Sequence, residues 1–326
     1  MTKLHYNLDA PMTFDHTLAV YEDLRDIMPP CNHALPAVPH YADALSDLLE
    51  HVDALLLDGF GVLNVGADVV PGAGAMLSRA REKGVIPLVL TNGASKNRAT
   101  AGLKYRQLGL DIDPDDVISS RDALIHYLIH GHDGYLSRGA RLGVIDSFAD
   151  LPTDVAMDVT ALSPEESRDW LTCDAIGFFG ALHWSDAWQS ALTEAIAHGV
   201  RIMVANPDVA APLQGAFSRE PAFWVAKAIH DLGIPIDHAK IDWFGKPHRP
   251  VFDRAIERLE QRLGHSTLDR KRIAMVGDTL HTDILGGHAV GLTTVLVTDH
   301  GLFRDGGADD TMNSVGIIPD YCVKTV

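Results

Sequence analysis

Leu55-Leu56-Leu57-Asp58-Gly59-Phe60-Gly61-Val62-Leu63 is the stretch whose reading decides the fold. Ala54–Leu57 is short and wholly apolar, as suits a strand buried on both faces of a sheet. It ends in an acid followed by two glycines, so backbone amides can approach the carboxylate closely. Outward from it the same kind of run recurs at Val85–Leu90, Leu142–Ile145, Ala175–Phe179, Ile202–Ala205, Ile273–Val276 and Thr294–Val297. Between these runs the spacing predicts helices over Gly72–Lys83, Lys96–Leu108, Ser185–His198, Glu220–Leu232 and Pro250–Leu263. Several end at a glycine (Gly84, Gly109, Gly199, Gly233), as a left-handed C-terminal cap requires. Strand and helix in alternation predict an α/β fold with a mainly parallel sheet. In such sheets reactive groups collect just past the C-terminal ends of the strands.

Residues 1–50 read differently. Thr13–Met28 and His40–Val52 show helix-like apolar spacing, and Pro29, Pro30, Pro36 and Pro39 lie between them. The expectation is a helical N-terminal extension with no chemistry of its own.

Composition narrows the function. Of 326 residues 46% are hydrophobic, enough for a sizeable core, and the formal charge is 27 − 44 = −17. That field repels phosphate backbones and anionic lipid, which argues against nucleic acid and membrane surfaces as partners. A small anionic substrate stays compatible where lysine, amide dipoles and a divalent cation reverse the sign inside one cleft. Cys31, Cys173 and Cys322 show no paired spacing, so neither a disulfide framework nor a zinc site is expected. Met1–Asp15 lacks the apolar core of a signal peptide, and no stretch nears the roughly 20 apolar residues of a membrane helix. These readings predict a cytoplasmic protein.

Three more strand ends carry chemistry. Leu88-Val89-Leu90-Thr91-Asn92-Gly93 ends in a hydroxyl and amides suited to an oxyanion. Phe244-Gly245-Lys246-Pro247-His248 holds a lysine between glycine and proline. Ala274-Met275-Val276-Gly277-Asp278 ends in an acid, with a second, Asp283, five residues on. Taken singly, each has an ordinary reading: loop acid, helix cap, turn residue or solvated lysine. Their joint occurrence, each at the end of an expected strand or in a tight loop, points to a single site.

In this order the four segments resemble the four motifs of the haloacid dehalogenase superfamily, over about Asp53 to Gly301. Cys173-Asp174-Ala175-Ile176-Gly177 and Ala205-Asn206-Pro207-Asp208, in the insert between the second and third motifs, are similar to the class IIA branch. That branch includes sugar-phosphate, nucleotide, p-nitrophenyl and pyridoxal phosphatases. The resemblance implies a Rossmann-like, doubly wound parallel-sheet core over 51–121 and 239–326, with an inserted α/β cap over 122–238. It implies a magnesium-dependent phosphatase acting on a small phosphorylated metabolite, and a homodimer, since many members pair through their caps. Asp58 would be the nucleophile that forms an aspartyl-phosphate. Thr91, Asn92, Gly93 and Lys246 would hold the phosphate. Asp58, Asp278 and the carbonyl of Phe60 would bind Mg²⁺, Asp283 would orient from behind, and Asn206 and Asp208 would face substrate from the cap.

One position departs from the pattern. Phosphatases of this superfamily carry a second aspartate two residues after the nucleophile, as general acid and base, and here that residue is Phe60. A backbone carbonyl still serves a metal, but the acid is lost, and such an acid is typically worth about 10²–10⁴ in rate. Leaving groups of low pKa should suffer least. Three readings remain open: a phosphatase with a substitute acid (His248, His281 or a cap residue such as Asp208), a non-catalytic phospholigand-binding descendant, or a metal-independent dehalogenase. The aromatics Phe178, Phe179, Trp184, Trp188, Phe223 and Trp224 are expected mainly as core, with one or two lining a substrate pocket.

Overall fold

A computed structural model describes residues 4–31, 34–131, 136, 139–146, 151–213, 216–264 and 268–326. The chain enters through helix α1 (Phe14–Asp23) and strand β1 (His40–Ala44), then β2 (Ala54–Leu57) and a small hairpin, β3 (Asn64–Val65) and β4 (Asp68–Val69). Next come α2 (Ala73–Glu82), β5 (Ile86–Thr91), α3 (Arg98–Gln107), β6 (Val117–Ser119), α4 (Ser120–His130), β7 (Arg141–Ile145) and β8 (Asp158–Ala161). They are followed by α5 (Ser167–Leu171), β9 (Ala175–Phe178), α6 (Asp186–Ala197), β10 (Arg201–Val204) and a second hairpin, β11 (Pro212–Leu213) and β12 (Ala216–Phe217). After α7 (Pro221–Leu232) and β13 (Ile241–Trp243) come α8 (Arg249–Leu263), β14 (Ile273–Gly277), α9 (Leu285–Ala289), β15 (Thr293–Val297), α10 (Ala308–Val315) and β16 (Tyr321–Thr325).

Two parallel sheets result. The larger runs β1-β16-β15-β14-β2-β5-β6 and the smaller β13-β10-β9-β7-β8. Every described pairing within them is parallel. The α/β reading therefore holds. β2 lies inside the larger sheet, between β14 and β5, with Leu55, Leu56 and Leu57 wholly buried. Leu55 and Leu57 pack with α2, while Leu56 packs with the α4 and α8 side, as alternation across a sheet covered on both faces demands. The four expected cap glycines, Gly84, Gly109, Gly199 and Gly233, all take positive φ, between 63 and 77°.

The reading of His40–Val52 as a helix is corrected. His40–Ala44 is the edge strand of the larger sheet, with Tyr41 opposite Cys322, and Leu45–Leu48 is a single 3₁₀ turn. Its backbone finds hydrogen-bond partners on β16, far away in sequence, and no local spacing signals such a pairing. Helix α1 does form within Thr13–Met28, with Thr13 accepting from His16 N as N-cap. Of the two expected boundaries, residue 122 lies within α4 and residue 238 just before β13, the edge strand of the smaller sheet.

The N-terminal segment packs on both halves. Tyr6, Val20, Tyr21 and Leu24 join the core that contains Phe178, Phe223 and Ile202 of the smaller sheet and its helices. Phe14 instead meets Phe303 edge-on at 5.5 Å, beside the larger sheet. Among the described residues no helix is long and apolar enough to cross a membrane, and all three cysteines are free thiols.

Candidate active site

β2, β5 and β14 are neighbours in the larger sheet, so the loops after their C-terminal ends meet. The loop after β13, which carries Lys246, comes in from the smaller sheet. Asp58, half-buried, accepts from Gly59 N at 2.7 Å. Lys246 Nζ stands 2.9 Å from Asp58 Oδ1 and 2.6 Å from Asp283 Oδ1, its side chain almost wholly buried. Burial pushes the Lys246 ammonium toward neutrality, but Asp283, Asp58 and Asp208 together outweigh it and hold the proton more tightly than in a free lysine.

Asp278 and Asp283 are fixed by two backbone amides and a threonine hydroxyl. Asp278 Oδ2 accepts from Leu302 N at 2.8 Å and its Oδ1 from Thr279 Oγ1 at 3.0 Å. Asp283 lies in one turn of π-helix, Leu280–Ile284, and its Oδ2 accepts from Thr279 N at 3.1 Å. The packing leaves no room for side chains here. A Cβ at Gly277 would overlap the Asp283 carboxyl, and one at Gly301, whose φ is +66°, would overlap that of Asp278. Burial, then the charges of Asp58 and Asp283, push the Asp278 carboxyl well above the usual range. Asp283 is pushed up to about 6 by burial, with Lys246 opposing.

Asp58, Asp278 and Asp283 can each offer one oxygen to a common point, these atoms lying within 4.8 Å of one another. Three carboxylates face the single Lys246 ammonium, so the cluster carries excess negative charge in a buried place. A hard divalent cation with oxygen ligands is what such a donor set fits.

Asn92 ties the loops together. Its Oδ1 accepts from Lys246 N at 2.7 Å, and its Nδ2 donates to Lys246 O at 2.9 Å and to Asp208 Oδ1 at 2.8 Å. Its own carbonyl accepts from Ser120 Oγ at 2.8 Å. Asn92 is buried and spends its side chain on this junction, so it holds the loops in place and does not face the cleft. Thr91 Oγ1 accepts from Gly93 N at 3.1 Å.

Asp58, Phe60, Thr91, Gly93, Asn206, Asp208 and Asp278 line one cleft of about 670 Å³. Lys246, Asn92 and Asp283 lie beneath its floor. A roomier groove of about 790 Å³, around Tyr41 and Asp309, contains none of them. Asn206 Nδ2 donates to Glu220 Oε2 at 3.1 Å, and its Oδ1 accepts from Asp208 N at 3.0 Å. Of the six aromatics, Phe178, Phe179 and Phe223 are fully buried core, with Phe179 bordering the cleft, while Trp184 and Trp224 line it.

The two histidines considered as substitute acids lie elsewhere. His281 is fully buried, its Nε2 is 2.5 Å from Glu22 Oε1, and its ring stacks on Tyr21 at 5.0 Å. His248 stacks on Trp243 at 5.7 Å. Sequence reading missed the backbone donor at Leu302, the Ser120 brace and the contribution of the N-terminal segment. It also missed Lys104, whose ammonium lies 4.3 Å from the Phe60 ring centroid. All four come from positions outside the quoted motifs.

Residues 55–141 match a family model described as haloacid dehalogenase-like hydrolase, and residues 243–326 match a second, described as HAD-hydrolase-like. A glycerol-3-phosphate phosphatase of Gallus gallus is 28% identical over 301 residues, 86% of this chain and 91% of that protein. A possible sugar phosphatase from Cytophaga hutchinsonii has the same fold, with a TM-score of 0.72 at 24% identity over 88% of this chain and 98% of its own. So does a glycerol phosphate phosphatase of Mycobacterium tuberculosis in complex with magnesium, with a TM-score of 0.61 at 24% identity over 78% and 69%.

Proposed function

Because the chain belongs to the haloacid dehalogenase-like hydrolases, we propose that it is a magnesium-dependent phosphatase of a small phosphorylated metabolite, with Asp58 as nucleophile. The observation that carries this reading is the Asp58–Lys246–Asp283 chain beside Asp278, at the floor of one cleft. Relatives that act on glycerol phosphate, one of them solved with magnesium, support the substrate class and the metal.

Phosphoryl transfer calls for positioning and charge neutralisation more than for covalent ingenuity. Asp58 attacks phosphorus and carries the phosphoryl group as an acyl phosphate until water releases it. Lys246 stabilises charge on Asp58 and on the phosphoryl oxygens, and Asp283 keeps that ammonium aimed. Thr91 and the amide of Gly93 hold phosphate oxygens, while Asn92 fixes the loop from behind. Asp58, Asp278 and the Phe60 carbonyl would hold magnesium, which when bound offsets the charge of carboxylates and phosphate together. Residues from about 122 to 238 serve as the cap, with Asn206 and Asp208 facing substrate. The excess of carboxylates over ammonium favours this reading over a metal-independent dehalogenase.

Release of p-nitrophenol from p-nitrophenyl phosphate, with and without magnesium, tests it on the parent and Asp58→Asn. Magnesium-dependent turnover that the variant loses is expected. Phosphate-ester binding without turnover would replace the proposal with a binding role, and halide release in the presence of chelator would replace it with dehalogenation.

A further inference from the structure

The proposed phosphatase has no side-chain acid at position 60, and this inference rests on that functional reading. An in-line attack by Asp58 sends the leaving oxygen away from the end of β2, toward the loops that follow the smaller sheet. A replacement donor has to reach the cleft from there. His281 is wholly buried and engaged by Glu22 and Tyr21, and His248 is stacked on Trp243, so neither lines the cleft. Lys104 covers the Phe60 ring and is also absent from the cleft lining.

Asp208 meets the requirement. It follows β10 of the smaller sheet and lines the same cleft as Asp58, Thr91 and Asp278. Asn92 holds its Oδ1 at 2.8 Å while gripping the backbone of Lys246, so the carboxyl is referenced to the phosphate loops. Among the described residues its Oδ2 makes no hydrogen bond.

We propose that Asp208 is the catalytic acid of this chain and supplies the proton that position 60 cannot. As the bond from phosphorus to the leaving oxygen breaks, the Asp208 proton passes to that oxygen, leaving an alcohol and the Asp208 carboxylate. The carboxylate then takes a proton from the water that attacks the acyl phosphate. Inorganic phosphate leaves, Asp58 returns as carboxylate, and Asp208 is protonated again. The charged groups around it suit the role. Burial pushes its pKa up to about 8; Lys246 opposes, while Asp58 and Glu220 add to the rise, so the acid form dominates near neutrality. Tyr21, buried beside the same loop, keeps its own proton far above this range.

The test compares p-nitrophenyl phosphate, whose leaving group needs little protonation, with the alkyl ester glycerol 3-phosphate, on the parent, Asp208→Asn and Asp208→Asn/Phe60→Asp. The expected result is a fall of about 10²–10⁴ in alkyl-ester kcat for Asp208→Asn, and less than about tenfold for the nitrophenyl ester. The double variant should recover part of the alkyl activity, and thermal midpoints verify that each variant is folded. Equal losses on both esters would make Asp208 a positioning residue only and overturn the proposal. A parent that hydrolyses the nitrophenyl ester but no alkyl ester would overturn it while sparing the phosphatase reading. A parent inactive on both removes the phosphatase reading itself, and the acid with it.

Discussion

Replacing Lys246 by Met removes the one ammonium at the centre of the site while roughly keeping the volume of its stem. The two contacts, at 2.9 and 2.6 Å, are each worth roughly 6 kcal/mol at an effective dielectric constant of ~20. Several kcal/mol of ammonium desolvation offset them. Deleting one member of a buried ion pair costs about 3–5 kcal/mol, because the partner stays buried without compensation. For a chain of 326 residues, at about 1.5 °C per kcal/mol, that corresponds to a fall in thermal midpoint of roughly 4–7 °C. The pH dependence has a definite sign. Asp283, already pushed up to about 6, loses its cation and rises further, away from its unfolded value. Between the two values the folded variant binds more protons than the unfolded chain, so its stability falls as pH rises. Scanning calorimetry at about pH 8 and about pH 5 should therefore show the larger deficit at the higher pH. A fall of less than about 3 °C at pH 8, or a deficit that grows on acidification, would refute the claim that Lys246 compensates buried carboxylates.

Two further outcomes follow from contacts around the site. Tyr21 OH accepts from Val209 N at 3.3 Å, next to Asp208, and both residues are buried; Tyr21→Phe leaves that amide unpaired, at a cost of about 1–3 kcal/mol. Hydrogen exchange at the Val209 amide should accelerate, and unchanged exchange would show that the N-terminal segment does not hold this loop. His248 is pulled down to about 4 by burial, so only the unfolded chain takes up its proton as pH drops from about 6.5 toward 4, and stability falls over that window. Urea midpoints of the parent should therefore fall relative to those of His248→Gln as pH drops from about 6.5 to 4, and parallel pH profiles would contradict the assignment.

The α/β class and most strands of the two sheets were legible because a strand buried on both faces must be apolar throughout. Ala54–Leu57 and Ile273–Gly277 carry that signature in their own residues. The chemistry was legible for a related reason: parallel strands deliver reactive groups at their C-terminal ends, so Asp58, Thr91 and Asp278 could be picked out one by one. Edge strand β1 was not legible, since its partner β16 is distant in sequence and its side chains lie largely exposed or half-buried.

Local pattern by itself therefore determined which residues have chemistry to offer. Tertiary structure alone decided what they do together. It put Asn92 between Lys246 and Asp208, turned His281 away toward Glu22, and left Asp208, and neither histidine, facing the cleft. The physical reason is that proton affinity and hydrogen-bond partnership depend on burial and on charges a few ångströms away, and those neighbours come from parts of the chain far apart in sequence.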